Sequence, residues 1–371
     1  MNPFTIAISD AEIADLKSRL AATRFPDALA GVGWEYGIDA AFLRRFVQYW
    51  HSQYDWRTAE TRLNALPHFL ADIAGERVHF LHIRGRGERN IPLLLTNGWP
   101  SNFVELLPLV PLLIAPIDGV AFDLVLPSLP GYGFSGKPAT PGMNHARIAP
   151  LWVELLTQLG YERFLASGSD MGAGVIMALV RDFPERLIGA HYVNAYYGFP
   201  PPDDPTPEEQ AWLERMAQWS FAEGAYGMVQ GTKPATLAVG LNDSPAGLAA
   251  WILEKFKAWS DNDGELETVF DLETLATIIS IFWFTQTIGS SVRLYKEAFA
   301  DPSLAQRPPP HEVPHGVLAM LAEDPAPRAW GERNLRKLVR WTELRSGGHF
   351  PALEVPEDMA HDIRAFYRQI G

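Results

Sequence analysis

Cysteine is absent from the 371 residues. Disulfides, thiolate metal sites and a cysteine nucleophile are therefore excluded, and cysteine usage says nothing of the redox compartment. A basic excess is missing too: 31 Lys and Arg stand against 44 Asp and Glu, for a formal charge of -13. No nucleic-acid partner is expected of such a chain, because that role needs a basic face. Long apolar runs are lacking. The longest, LLPLVPLLIAP at 106–116, is too short and too proline-broken to span a bilayer. The opening MNPFTIAISDAEIADLKSRL has no apolar core of a secretory signal. By elimination a soluble, cytoplasmic protein without a membrane partner is expected.

What is present is a folding composition, 47% hydrophobic with 12 Trp and 20 Phe. The length suits one catalytic domain with appended elements. Residues 1–76 read as helices without strands. Ser9 and Glu12 have the spacing of a capping box at the head of SDAEIADLKSRLA. A second helix is expected over roughly 39–54, where Phe42, Phe46, Trp50 and Tyr54 recur every four residues. Core packing explains that stripe.

From residue 77 the pattern turns to strands: RVHFLHIRG, IPLLLTNG, FDLVLPSLP, RFLASGSD, IGAHYVNA, VPHGVLAML and LVRWTEL. Helical stretches at 145–160 and 173–183 separate several of them. Such alternation implies a largely parallel sheet covered on both faces. Between about 196 and 305 the alternation stops. A proline-rich exit, GFPPPDDPTPEE, leads into aromatic-rich helical segments, and the strand signal returns at 313. This is the pattern of a helical insertion over the carboxyl ends of the strands, where open α/β sheets bind ligands.

The most informative segment is RFLASGSDMGAGVIMALV. A strand runs into Gly168-Ser169-Asp170-Met171-Gly172, and a helix follows. The spacing G-x-Nu-x-G is that of a nucleophile elbow, with Asp170 in the central place. The turn needs small residues two before and two after the nucleophile, and Gly168 and Gly172 supply them. Centring on Ser169 would set the bulky Met171 at a flank; centring on Ser167 would set Leu165 there. A phosphate-cradling turn is the alternative, but its glycine spacing differs and an acid stands where the anion would sit. A carboxylate nucleophile has a chemical logic. Attack at saturated carbon by serine leaves an ether, whereas attack by aspartate leaves an ester that water can cleave. Asp170 therefore points to epoxides or alkyl halides.

His349 lies in Ser346-Gly347-Gly348-His349-Phe350, after the last strand and before a final helix at about 356–369. That is the chain position of the base. Glu323 or Asp324, just after VPHGVLAML, would orient it. Backbone N–H groups at Thr96-Asn97-Gly98-Trp99-Pro100 and at Met171 are placed to form an oxyanion hole. A cis Trp99–Pro100 bond suits that tight turn. Leu129-Pro130-Gly131-Tyr132-Gly133-Phe134-Ser135 closes the next strand and is expected to shape the pocket floor.

These motifs resemble the epoxide hydrolases of the α/β-hydrolase fold, in the microsomal-like branch with an N-terminal meander. WEYGI, YDWR and LNALPHF resemble the meander; NGWP resembles HGWP; PSLPGYGFS and GSDMG match closely. So do TKPATLAVGLNDSPAGLAAWILEKF, FWFTQTIGSSVRLYKE, VPHGVLAMLAE and RSGGHFPALEVPEDMAHDIRAF. The resemblance spans nearly the whole chain. It implies an N-terminal helical meander over 1–76, core over 77–195 and 306–371, and a helical cap over 196–305. It implies Asp170 as nucleophile, His349 as base and Glu323, rather than Asp324, as the acid. The backbone of Trp99 and Met171 would form the oxyanion hole. Two cap tyrosines, Tyr226 and Tyr295, would polarise the epoxide oxygen; without the resemblance they read as ordinary packing aromatics.

The implied reaction turns a bulky apolar epoxide into a vicinal diol and needs no cofactor or metal. A small-molecule substrate is the expected partner, with a homodimer left open. Two positions depart from the family pattern: Asn97 stands for its His, and Met171 for its usual Trp. Met171 weakens a haloalkane dehalogenase reading. The departures raise one rival, an enzyme of natural product biosynthesis that opens or cyclises an epoxide without water; two further rivals are a ligand-binding relative without turnover and a dehalogenase.

Overall fold

The computed structural model describes residues 1–194, 202–305 and 311–371. Nine strands form one sheet among them: β1 (Asn2–Phe4), β2 (His68–Ile73), β3 (Glu76–Ile83), β4 (Arg89–Thr96), β5 (Val120–Pro127), β6 (Phe164–Gly168), β7 (Leu187–Val193), β8 (His315–Met320) and β9 (Leu338–Leu344). Their order is β1-β2-β3-β5-β4-β6-β7-β8-β9. From β5 to β9 all pairings are parallel. β1, β2 and β3 join antiparallel at one side. All seven strands expected from residue 77 onward are present.

The expectation that residues 1–76 lack strands is corrected by β1 and β2. β2 and β3 form a hairpin around Ala74 and Gly75, whose φ angles are 51° and 85°. Two positive φ values in a two-residue turn are the type I′ geometry, which Asn-Gly or Asp-Gly normally announces. Alanine in the first place hides the signal. β1 is only three residues long, below what periodicity can register.

Both faces of the sheet are covered, which is why the central strands read as unbroken apolar runs. Leu93, Leu94 and Leu95 of β4 are all fully buried. Alternation along β6 shows the two sides. A Cβ on Gly168 would meet Ile176 of the helix Asp170–Asp182, whereas Ser167 bonds His191, which bonds Asp362 of the helix Pro356–Ile370.

The two N-terminal helices expected both form, and a third, Trp56–Asn64, follows them. Ser9 and Glu12 make a full capping box at Asp10–Ala21, and Asp39 caps Ala40–Ser52. Between β7 and β8 the described residues from 202 to 305 carry helices and no strand. Residues 195–201 and 306–310 lie outside the described ones, and with them part of the proline-rich exit and the limits set at 195/196 and 305/306. The last of the aromatic-rich helical stretches is carried by two helices, Leu272–Thr285 and Ile288–Phe299, at 89° to each other. Gln286, with φ 52°, ends the first. Among the described residues no single helix is long and apolar enough to cross a membrane.

The N-terminal helices grip the first of this pair. Trp50 Nε1 donates to Ser280 Oγ at 2.9 Å, the Tyr54 hydroxyl lies 3.2 Å from Thr277 Oγ1, and Trp56 packs on Phe284. The aromatic stripe at 42–54 is therefore core, as its spacing suggested, and part of that core belongs to the insertion. Trp50 is almost wholly buried. Trp50→Ala should lower the unfolding free energy by about 3–5 kcal/mol. Urea unfolding measures this, and a loss below about 1 kcal/mol would show that the contact with Ser280 is not a core contact.

Candidate active site

The turn after β6 is as tight as the sequence implies. Asp170 has φ 48°, a left-handed conformation uncommon outside glycine. The helix Asp170–Asp182 then passes so near the end of β4 that a Cβ on Gly172 would sit 2.2 Å from the Thr96 carbonyl oxygen. The loop after β4 approaches from the other side. A Cβ on Gly98 would lie 2.2 Å from Asp170 Oδ1, and Trp99–Pro100 is cis. This close approach brings the Trp99 N–H to Asp170 Oδ1 at 2.9 Å, and the Met171 N–H also bonds that carboxylate.

Burial raises the Asp170 pKa, while His349 and the two backbone donors pull it down. His349 Nε2 lies 3.8 Å from Asp170 Oδ2. Its Nδ1 bonds Glu323 Oε1, whose second oxygen accepts from Asn194 Nδ2. Burial alone would lower the His349 pKa. The charge and hydrogen bond of Glu323, with Asp170 and Glu105, outweigh it and raise the value to about 9. Asp324 is turned away in a left-handed conformation and is held by Arg215 at 2.7 and 2.9 Å. Of the two adjacent acids, Glu323 is the one on the imidazole.

The two tyrosines reach the same place from the insertion. Tyr226, on Ala225–Thr232, stacks on the Trp99 ring at 5.7 Å. Tyr295, on Ile288–Phe299, meets that ring edge-on at 5.8 Å, and the two tyrosine rings are 5.8 Å apart. The Tyr295 hydroxyl is buried and makes no hydrogen bond of normal geometry. Burial raises both hydroxyl pKa values, and the Asp170 charge adds to this. Both tyrosines therefore stay protonated. Asp170, Met171, Tyr226 and Tyr295 line one cavity of about 450 Å³. The loop Leu129–Ser135 does not line it, contrary to expectation. It fastens the helix that carries Tyr295, through Ser290 Oγ to Gly131 O at 2.6 Å and Tyr132 Oη to Ser291 O at 3.3 Å.

Some residues of the site gave no sequence signal. Asn194 holds Glu323 and also accepts from Met320 N at 2.8 Å. Glu354 accepts from the N–H groups of Gly348 and Phe350, at 2.8 and 2.9 Å, and so fixes both neighbours of His349. Glu105, buried behind the site, has its pKa raised to about 7 by burial, against the pull of His349. Lys255 stands 4.8 Å over the Tyr226 ring. Asn97 bonds the Gly98 carbonyl at 3.0 Å, so the departure from the family pattern leaves the backbone donors in place.

A second array has the residue types of a serine triad. Ser167 Oγ lies 2.8 Å from His191 Nδ1, and His191 Nε2 lies 3.1 Å from Asp362 Oδ2. All three are buried under the sheet, and none lines the cavity. Among the described residues no group of three or more His, Asp or Glu is arranged to hold a metal ion.

The raised His349 pKa has a consequence for stability. The group binds its proton more tightly folded than unfolded, so its contribution is fully present below pH 6.5 and is lost as the pH rises through about 9. The margin of the wild type over Glu323→Gln should shrink across that window in urea unfolding. A margin that stays constant would mean that His349 is not held as the imidazolium.

Known proteins resemble this chain along its whole length. Residues 1–106 match the family model "Epoxide hydrolase N terminus", and residues 91–272 match that of the alpha/beta hydrolase fold. A Stigmatella aurantiaca (strain DW4/3-1) protein, named provisionally as an epoxide hydrolase, is 41% identical over 100% of this chain and 85% of its own length. Epoxide hydrolase 1 of Sus scrofa is 34% identical, covering 99% of this chain and 88% of its own. The crystal structure of the juvenile hormone epoxide hydrolase from Bombyx mori superposes with a TM-score of 0.87 at 33% identity, over 100% of this chain and 93% of that one. The match runs the length of the chain, which belongs to the epoxide hydrolase family of the α/β-hydrolase fold, in its microsomal-like branch.

Proposed function

We propose that this chain hydrolyses a bulky, apolar epoxide to a vicinal diol through an ester on Asp170. One observation carries the reading. The two oxygens of Asp170 have different surroundings: Oδ1 takes the Trp99 N–H at 2.9 Å, and Oδ2 faces His349 Nε2 at 3.8 Å, on a residue that lines the cavity. Oδ2 is then the attacking atom, and Oδ1 already lies where an oxyanion would be held.

Oδ2 forms a bond to an oxirane carbon, and that carbon's bond to oxygen breaks. Tyr226 and Tyr295 hydrogen-bond the departing oxygen, and one of them gives it a proton. Once esterified, Asp170 has no charge, and one of the terms that hold the His349 proton is gone. That proton restores the tyrosine, which leaves His349 neutral. His349, oriented by Glu323, then takes a proton from water as the water attacks the ester carbonyl. The Trp99 and Met171 N–H groups hold the oxyanion. Collapse releases the diol and restores both the carboxylate and the imidazolium. No metal or cofactor enters this sequence.

The His349–Glu323 pair favours this over a cyclising, natural-product enzyme of the same fold. Opening without water would need no base beside the ester carbonyl. Single turnover of a styrene-oxide-like substrate in ¹⁸O-water should label Asp170 and leave the diol unlabelled. Asp170→Asn should lose roughly a thousandfold or more in kcat. Label found only in the diol, or full activity in Asp170→Asn, would remove Asp170 as nucleophile. A product isomeric with its substrate would favour cyclisation, and released halide would favour dehalogenation.

A further inference from the structure

A lysine on a helix normally carries its ammonium out to water along its long stem. Lys255, on the helix Pro245–Trp259, does the reverse and is buried. Its Nζ stands 4.8 Å from the centre of the Tyr226 ring and 5.7 Å from that of the Trp259 ring. Its ion-pair partner is Glu254, at 2.7 Å. The side chain of Glu254 is 21% exposed and that of Lys255 6%, so the pair turns its positive end to the rings and its negative end toward solvent. Taking an ammonium out of water is costly, and this one is set against an aromatic group of the site.

A cation over an aromatic face is attracted by the ring. The attraction is stronger to a phenolate, which carries a full negative charge, than to a phenol. Lys255 therefore eases the loss of the Tyr226 proton. Burial opposes that loss, and so do the charges of Asp170, Glu323 and Glu254. Tyr295 has no such counterpart. Among the described residues no Lys or Arg stands over its ring, which faces Trp99, Tyr226 and Phe299. Burial raises both hydroxyls, and their nearness to each other then lowers that of Tyr226 and raises that of Tyr295. Tyr226 also shares a neighbour with the imidazolium: the Trp259 ring lies 5.0 Å from Tyr226 and 4.9 Å from His349.

We propose that Lys255 is a positioning residue whose ammonium, held over Tyr226, favours the phenolate and so makes Tyr226, rather than Tyr295, the donor to the opened oxirane oxygen. This rests on the reading of Asp170 as the epoxide-opening group. As the carbon–oxygen bond breaks, its electron pair stays on oxygen. The Tyr226 O–H bond breaks and its proton passes to that oxygen. The ammonium stabilises the phenolate until the His349 proton restores it.

The test follows single turnover of a styrene-oxide-like epoxide and times ester formation and ester hydrolysis separately. Lys255→Met should slow ester formation about five- to tenfold and change hydrolysis by less than about twofold. Lys255→Arg, which keeps a cation, should recover part of the loss. The loss should persist in Tyr295→Phe and vanish in Tyr226→Phe, since only the second removes the group through which Lys255 acts. A loss of equal size in both backgrounds, or none in the wild-type background, overturns the proposal. A substrate-free arm places a trifluorinated tyrosine at 226 and follows its hydroxyl by ¹⁹F NMR. It should titrate about one unit higher in Lys255→Met than in the otherwise unchanged protein. An equal titration overturns the proposal. Failure of the wild type to open any epoxide would count against the Asp170 reading, and the fluorine titration then decides whether Lys255 acts on Tyr226. Should Lys255→Met fail to fold, Lys255→Gln takes its place in both arms.

Discussion

A Cβ on Gly172 would collide with the Thr96 carbonyl, and one on Gly98 with Asp170 itself. These two contacts hold the site together. They let the helix Asp170–Asp182 and the loop after β4 come within bonding distance, so that a backbone N–H from each can reach one carboxylate. The same closeness forces Asp170 to φ 48°. Strain of this kind persists only where the surroundings over-determine it. Here β4 and β6 pair in parallel up to Thr96 and Gly168, so the ladder ends where the turn begins.

Around this turn the fold concentrates acids on one imidazole. Glu323 touches His349, Asp170 faces it, and Glu105 acts on it from behind. Glu354 binds the backbone on either side of it. Burial would strip His349 of its proton, and the carboxylates win against burial. The balance depends on Asp170 bearing charge. A bond to Asp170 that cancels this charge weakens the hold on the proton, so the charge state of Asp170 sets that of His349. In the proposed reaction a single anchored histidine is in this way an acid partner before ester formation and a base after it.

How much of this was legible in the chain depends on the distance over which each signal acts. The elbow was legible because steric need falls on residues two apart, and Gly168 and Gly172 are the visible consequence. The parallel strands were legible because burial on both faces leaves no polar alternation to confuse. The β2–β3 turn was not, since Ala74 takes a conformation that Asn or Gly would have announced. Glu323 and Asp324 could not be separated by spacing; what separates them is Arg215, far away in sequence, which engages Asp324. Asn194, Glu105 and Glu354 are ordinary polar residues in the string, and only the fold assembles them. The loop Leu129–Ser135 was misplaced because a Gly-rich turn after a strand reads as a pocket wall, whereas the Gly131 carbonyl and Tyr132 serve as a seat for the helix carrying Tyr295.

The array Ser167–His191–Asp362 shows what residue types alone do not provide. It has the right atoms at 2.8 and 3.1 Å. Yet Ser167 lies within β6, where alternation turns its side chain toward the helix Pro356–Ile370. Asp362 is also engaged by Arg340 and Thr342, at 2.6 Å each, so the acid serves as a junction between β9 and that helix. Three residues further along the chain, past the end of β6, the backbone has left the ladder and turned sharply, and Asp170 lines the cavity. The difference between a strut and the proposed nucleophile on this chain is therefore one of register and of the end of the sheet. The carboxyl ends of the strands are where the backbone is free to bend, where N–H groups are free to bind a charge, and where the insertion can bring two protonated hydroxyls to meet it.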